Sequence, residues 1–302
     1  MANFRKNHLQ KSNPFIGLTF RVFVIFIILV ILFKGVSKYY NNQNIETPKF
    51  ESQFRQADIE RDYLPKSSVK LDVIHHQYYS LGYDEKHEIS HWVAYILTKN
   101  DLKARNVKRY RDYIQDPLVH TKSAHYKDYS KSGYTRGHLA PAGDMAFNKA
   151  AMKESFYMSN ITPQLRQFNN GIWKELEENV RDWAYFDDKL YIVSGPIVNS
   201  IENAIGRQNK VGVPEYFYKA VLAYQGSKRK AIGFIIPNER SDEPLANYAV
   251  NIDEIEKRTN LDLFADIYTE NEGAQIESTF KLSSWKISKK RFNLRVNKWN
   301  KE

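Results

Sequence analysis

Apolar positions along this 302-residue chain fall into two regimes. Residues 22–33 (VFVIFIILVILF) form an unbroken apolar run of twelve, which grows to 15–33 if Arg21 sits near a membrane interface. Twelve residues are short for a membrane span, and the longer stretch is nearly sufficient. With Arg5, Lys6 and Lys11 ahead of it, the segment 15–36 predicts a signal peptide or an uncleaved signal anchor, and both export the remainder of the chain. No Ala-x-Ala site comes after it and Gly35-Val36-Ser37 is a weak cleavage candidate, which favours an anchor with the folded part outside the cytoplasm, periplasmic or extracellular; cleavage would make it secreted. A buried core helix fits less well, because nothing amphipathic breaks the run. Further on, β-branched and aromatic runs at 92–97, 190–193, 216–224 and 231–236, bounded by Gly, Pro or Asn, predict strands. Helical spacing marks 148–158, 169–186 and 252–258, the second with Ile172, Trp173, Leu176 and Val180 as an apolar stripe. The pattern is that of an α+β fold with a mixed, mainly antiparallel sheet flanked by helices. It divides the chain into a basic segment 1–14, the apolar segment 15–36, a polar tether 37–63, a domain 64–280 and a basic tail 281–302. The tail reads as a solvated, frayed end, with contact to nucleic acid or an anionic surface through Trp285, Phe292 and Trp299 as the other reading.

Composition narrows the chemistry. At 42% hydrophobic and 14% aromatic residues the chain can build a full core, while 26% charged residues and a mean hydropathy of −0.60 exclude a multi-span membrane protein. With no cysteine, disulfides, thiolate metal sites and cysteine nucleophiles are excluded, so any metal sits on nitrogen and oxygen ligands. The net charge of +10 is concentrated at the ends: residues 1–40 hold six Lys/Arg and no acid, and residues 281–302 hold eight against Glu302 alone. The middle of the chain is slightly acidic, so charge that matters there is local. Residues 101–136 supply it, with nine Lys/Arg against Asp101, Asp112, Asp116 and Asp128.

That basic run leads into 135–144 (TRGHLAPAGD), where His138 comes after an arginine and a glycine. A neutral imidazole can take a proton from water near neutral pH, and a guanidinium can grip a phosphate oxygen. Downstream lie 159–164 (SNITPQ) and 169–177 (NNGIWKELE). If Asn169 opens a helix, positions 169, 173 and 177 drift only about 40° per step and share a face. Glu177, about 12 Å along the axis, is then better placed to hold a metal-bound water than to bind the metal beside Asn169. One amide ligand with several waters suits magnesium.

These three segments resemble successive motifs of the DNA/RNA non-specific endonuclease family, and the likeness continues in order through 193–196 (VSGP), 213–219 (VPEYFYK) and 236–238 (IPN), covering roughly 70–270. The resemblance implies a ββα-metal active-site motif and a magnesium-dependent hydrolase of DNA and RNA, with Mn2+ as an alternative ion, leaving 5′-phosphate ends. It makes His138 the general base, Asn169 the direct metal ligand and Glu177 the carboxylate acting through a metal-bound water. Arg136 and Asn160 match positions that support the metal site and bind or stabilise the phosphate, and Arg111 matches an arginine that stabilises the transition state. Where the family usually has Asp, this chain has Thr135, which bears on hydrogen bonding around Arg136 and on rate. A homodimer stays open, and no protein partner is readable.

Two other readings compete. The segment 87–91 (HEISH) matches the zinc-protease pattern H-E-x-x-H, but that pattern needs a helix, and the flanks read as a turn and a strand. A tethered nucleic-acid-binding module, weakened in catalysis by Thr135, is the alternative from a different class. His75 and His76, adjacent on a strand, point to opposite faces and cannot easily share an ion.

Overall fold

The structure, a computed structural model, describes Lys34 and residues 62–199, 201–226 and 228–301. The chain divides into two units, Met1–Ile59 and Glu60–Glu302. Apart from Lys34, Asp62 and Tyr63, the predicted anchor and tether lie outside the described residues, among which no helix is long and apolar enough to cross a membrane.

The second unit runs through β1 (Asp72–His75), β2 (Ser80–Asp84), β3 (Ile89–Thr98), α1 (Lys99–Lys103), β4 (Thr135–His138), α2 (Lys149–Glu154), β5 (Ile161–Gln164) and α3 (Lys174–Asp187). It continues through β6 (Lys189–Pro196), β7 (Tyr216–Gln225), β8 (Lys228–Pro237), β9 (Ala249–Val250), α4 (Ile252–Thr259), α5 (Glu270–Ser278) and α6 (Lys289–Asn297). Seven strands form one sheet in the order β9-β8-β7-β6-β3-β2-β1. The sheet expected to be mixed, mainly antiparallel, is antiparallel at every pairing.

Both faces of the sheet are covered, so its central strands read as near-continuous apolar runs rather than alternating ones. In β7, Phe217 and Val221 join a cluster with Trp173, Leu176, Val180 and Trp183 around α3. Tyr218, Ala220 and Leu222, pointing to the other face, pack with Ile252 and Ile255 of α4 and with Leu263 and Phe264. Lys219 interrupts the first face and is fully buried there.

Beside the large sheet stands the hairpin β4–β5, paired from Thr135 opposite Gln164 to His138 opposite Ile161. Gly137 is required by this pairing, since a Cβ there would stand 2.0 Å from the Gln164 side chain. The next helix does not begin at Asn169 as the spacing suggests. Residues Phe168–Trp173 form a wide π-type turn broken at Gly171 (φ −99°, ψ −109°), and the regular helix starts at Lys174.

The C-terminal tail, expected to be frayed, is a packed helix. Arg295 is fully buried and donates to Glu175 of α3 at 2.5 Å, to the Ser241 carbonyl and to the Glu243 carbonyl at 2.6 Å. Trp285 meets Trp183 edge-on at 5.1 Å, and Arg291 pairs with Glu178 at 3.0 Å and with Asp182. The basic residues are thus partly consumed by acids of α3, while Trp285 joins the core, Trp299 is buried and Phe292 is half-buried. Arg295→Ala should cost about 3–5 kcal/mol, because it strands the Glu175 carboxylate in the interior. Denaturant unfolding measures this; a midpoint equal to wild type would show that the tail is not part of the folded core.

Candidate active site

Around His138 the backbone is fixed before its ring is considered. Asn160, fully buried, accepts from the Ala140 N–H at 2.8 Å and donates to the Ala140 carbonyl at 2.9 Å and the Ser155 carbonyl at 2.8 Å. The Leu139 N–H donates to the Asn160 carbonyl at 3.0 Å, and Trp173 Nε1 reaches the His138 carbonyl at 3.4 Å. The ring lies edge-on to Phe156 at 4.8 Å and tilted toward Tyr113 at 5.9 Å. Only 7% of His138 is exposed, and its Nε2 is buried without a hydrogen-bond partner. Burial, assisted by the Arg109 charge, pushes the imidazole down to about 3, so it is neutral at any physiological pH.

The ring borders a cleft of about 420 Å³ lined by Arg109, His138, Pro141, Ala142, Gly143, Asn169, Asn170, Lys174, Glu177 and Arg181. Asn169 turns its amide nitrogen away, donating to the Thr135 hydroxyl at 2.9 Å, while that hydroxyl donates to the Gln164 carbonyl at 2.8 Å. Thr135 thereby leaves the Asn169 Oδ1 for the cleft. Burial pushes the Glu177 carboxyl up, and Arg181 and Lys219 pull it back down. Lys219 shows the converse: burial lowers its ammonium, opposed by Glu177 and Asp144. Its Nζ bonds Ser194 Oγ at 3.0 Å and lies 4.7 Å from the Trp173 ring centre. Arg181 is held by Asp144 at 2.8 Å, and Asp144 in turn accepts from Tyr95 at 2.8 Å. A cleft lined by Arg109, Lys174 and an Arg181 held in place by Asp144, with a neutral imidazole and two oxygen donors, can receive a phosphate.

A family model described as DNA/RNA non-specific endonuclease matches residues 62–270. The chain belongs to this family. It is 33% identical over 235 residues to Nuclease C1 of Cunninghamella echinulata var. echinulata, covering 72% of this chain and 89% of that protein. Human mitochondrial endonuclease G is 31% identical over 196 residues, which span 61% of this chain and 66% of that protein. Human mitochondrial nuclease EXOG is 31% identical over 202 residues, or 62% of this chain and 55% of EXOG. A crystal structure of an EndoG/EndoGI complex superimposes with a TM-score of 0.61 at 31% identity, covering 66% of this chain and 88% of that one. The α+β fold with its central antiparallel sheet is therefore that of EndoG, and the protein is a non-specific nuclease.

In this endonuclease, His138, Asn169 and Glu177 come together as the sequence suggested, but three expected site residues do not. Asn160 spends its amide on backbone and is sealed from the cleft, holding the chain that leaves β4. Arg136 shares the strand face of His138 but reaches out to donate to the Tyr126 carbonyl at 2.8 Å and lies over the Tyr113 and Tyr129 rings at 5.2 and 5.7 Å, without lining the cleft. Arg111 is exposed and does not line the cleft; Arg109, two residues earlier, does. Both arginines are exposed, and loop length between the basic run and β4 hides which of them borders the cleft. Arg181 and Lys174 were findable, since positions 174, 177 and 181 share a helix face. Lys219 had a signal too, as the lone charge inside the apolar run of β7.

The depressed imidazole makes stability pH-dependent in a defined direction. An unfolded His138 gains its proton as pH falls through 6.5, whereas the buried ring resists to about 3, so acidification between these values favours the unfolded chain. Replacing His138 with Gln should remove about 1.4 kcal/mol per pH unit from the slope of unfolding free energy between pH 4 and 6. Denaturant titrations in EDTA at several pH values measure it; identical slopes would mean the ring is not held neutral by burial.

Proposed function

We propose that this chain is a magnesium-dependent endonuclease that hydrolyses phosphodiester bonds of DNA and RNA, leaving 5′-phosphate ends, with His138 as general base. The observation that carries this reading is the convergence of a buried neutral imidazole, the Asn169 Oδ1 and the Glu177 carboxylate on one cation-walled cleft. The donor set fits the ion: one amide oxygen and one carboxylate are hard donors, and space remains for the waters that magnesium keeps. Asn169 would hold it directly and Glu177 through water. Magnesium, when bound, supplies charge that polarises the phosphate and stabilises the leaving 3′ oxygen. His138 accepts the proton of the attacking water. The burial that keeps the ring neutral also makes it a weak base, and the arriving phosphodiester corrects this, since a nearby anion raises the imidazole's proton affinity against the Arg109 charge. Arg109 and Arg181 line the cleft and would oppose the negative charge that builds on a phosphate bound there. Contacts confined to phosphate carry no base information, which accounts for indifference to sequence.

The apolar segment 15–36 is proposed to anchor the nuclease domain, 64–280, outside the cytoplasm. Its basis is the apolar run and the basic residues ahead of it.

Plasmid DNA and RNA should be cut with magnesium and spared with EDTA, and His138→Ala should lower cleavage by at least about 100-fold. EDTA-resistant cleavage would sink the metal mechanism, while tight DNA binding without cleavage by wild type would favour a binding module. Thr135→Val, which frees the Asn169 amide to rotate, should raise the magnesium concentration for half-maximal cleavage about 10-fold. An unchanged magnesium dependence would remove Thr135 from the metal site's support.

A further inference from the structure

The segment 87–91 is no zinc-protease helix, yet the fold brings its two histidines to one point. Asp84 ends β2, His87 lies in the β2–β3 turn and His91 belongs to β3. His87 Nδ1 stands 2.6 Å and His91 Nε2 2.8 Å from the same oxygen, Asp84 Oδ2. The three ligand-type atoms all lie within 4.8 Å of one another. The other carboxylate oxygen, Oδ1, accepts the Lys86 N–H at 2.8 Å and fixes the carboxylate's orientation.

Two backbone irregularities create this convergence. The β2–β3 register shifts between Gly82, opposite Trp92, and Tyr83, opposite Ser90, so His91 is the extra residue of a bulge and is re-aimed by it. Glu88 takes a left-handed φ of 55°, unusual for a side chain of its size, and this folds the turn back over Asp84. Both histidine backbones are then pinned from elsewhere. The His87 carbonyl accepts from the Gly212 N–H at 2.8 Å, and the His91 carbonyl accepts from the Tyr218 hydroxyl at 3.1 Å. The side chains are 19%, 8% and 15% exposed for His87, His91 and Asp84, shielded but reachable from solvent.

We propose that Asp84, His87 and His91 form a second metal site that takes a zinc-class transition-metal ion and clamps the β2–β3 turn, separate from the nuclease cleft. Two imidazoles with one carboxylate select zinc or its first-row neighbours over magnesium or calcium. A tetrahedral zinc with ligand distances of about 2.0–2.1 Å sets its donor atoms roughly 3.3 Å apart, a spread reached here by small side-chain rotations. Each ring would bind the ion through the nitrogen that now faces Asp84, Nδ1 of His87 and Nε2 of His91, with a proton carried on the other nitrogen. Three protein donors leave a fourth position for water. None of the three residues lines the nuclease cleft, so this site stands or falls independently of the catalytic reading.

The test uses full-length chain stripped with EDTA, incubated with micromolar zinc, freed of excess by gel filtration and assayed for metal content. Wild type and Asn169→Ala should each retain one zinc at this site, and zinc at about a hundred times its Kd should raise the melting temperature by about 5–10 °C. Cobalt in its place should give the visible absorption of a tetrahedral N/O site. His87→Gln and, independently, Asp84→Asn should lose the retained zinc and the thermal shift, while magnesium-dependent plasmid cleavage by His87→Gln stays at the wild-type level and verifies folding. Wild type that retains no zinc overturns the assignment. So does zinc that persists in His87→Gln, or that disappears only in Asn169→Ala.

Discussion

A single buried amide, that of Asn160, governs the geometry around His138. It closes a ring of hydrogen bonds with both polar groups of Ala140 and with the Ser155 carbonyl, and its own carbonyl receives the Leu139 N–H. The chain leaving β4 is thereby turned at a fixed angle, and His138 cannot swing out of its apolar seat against Phe156. Because the amide is sealed from water, any alternative conformation of this loop leaves several buried polar groups unmet, each costing about 1–3 kcal/mol. The neutrality of the imidazole is a secondary consequence: the ring is desolvated because the loop cannot relax.

Charge in the cleft depends on the same rigidity. Glu177, Asp144, Arg181 and Lys219 form an alternating set at the junction of α3 with the sheet, with Tyr95 and Ser194 supplying hydrogen bonds. Burial disfavours the charges of Glu177, Arg181 and Lys219, and their oppositely charged partners restore them, so the state of any one of these three depends on its neighbours. A phosphate entering this field meets cations already oriented, with little reorganisation left to perform.

The apolar pattern located the central strands of the sheet, and the order of short polar motifs located His138, Asn169 and Glu177. What the pattern missed has physical causes. Regular periodicity presumes a regular helix, and the break at Gly171 moved Asn169 off the helix face while leaving it in the cleft. Arg136 and Arg109 carry the same charge and lie on the same basic run, so only the folded path of the loop between them separates the one that reaches the Tyr126 carbonyl from the one that lines the cleft. In the tail, lysines and arginines suggested solvent, whereas Arg295 and Arg291 are matched by Glu175, Glu178 and Asp182 more than a hundred positions earlier. Pairing over that separation leaves no local signal. The bulge at His91 is equally silent in composition, since it depends on how two strands meet.

The seven-stranded sheet also tapers: β3, β7 and β8 are each ten residues long, while the edge strands β1 and β9 have four and two. A sheet exposes unpaired backbone only at its edges, and an edge of two to four residues offers an incoming strand too few hydrogen bonds to hold on. The central strands β6 and β7 are paired on both sides, whereas β8 meets β9 only at Gly233 and Phe234. The edge of β8 ahead of that pairing carries Lys228, Arg229 and Lys230, charged side chains that oppose an incoming strand, so shortness guards one part of the sheet's rim and charge another.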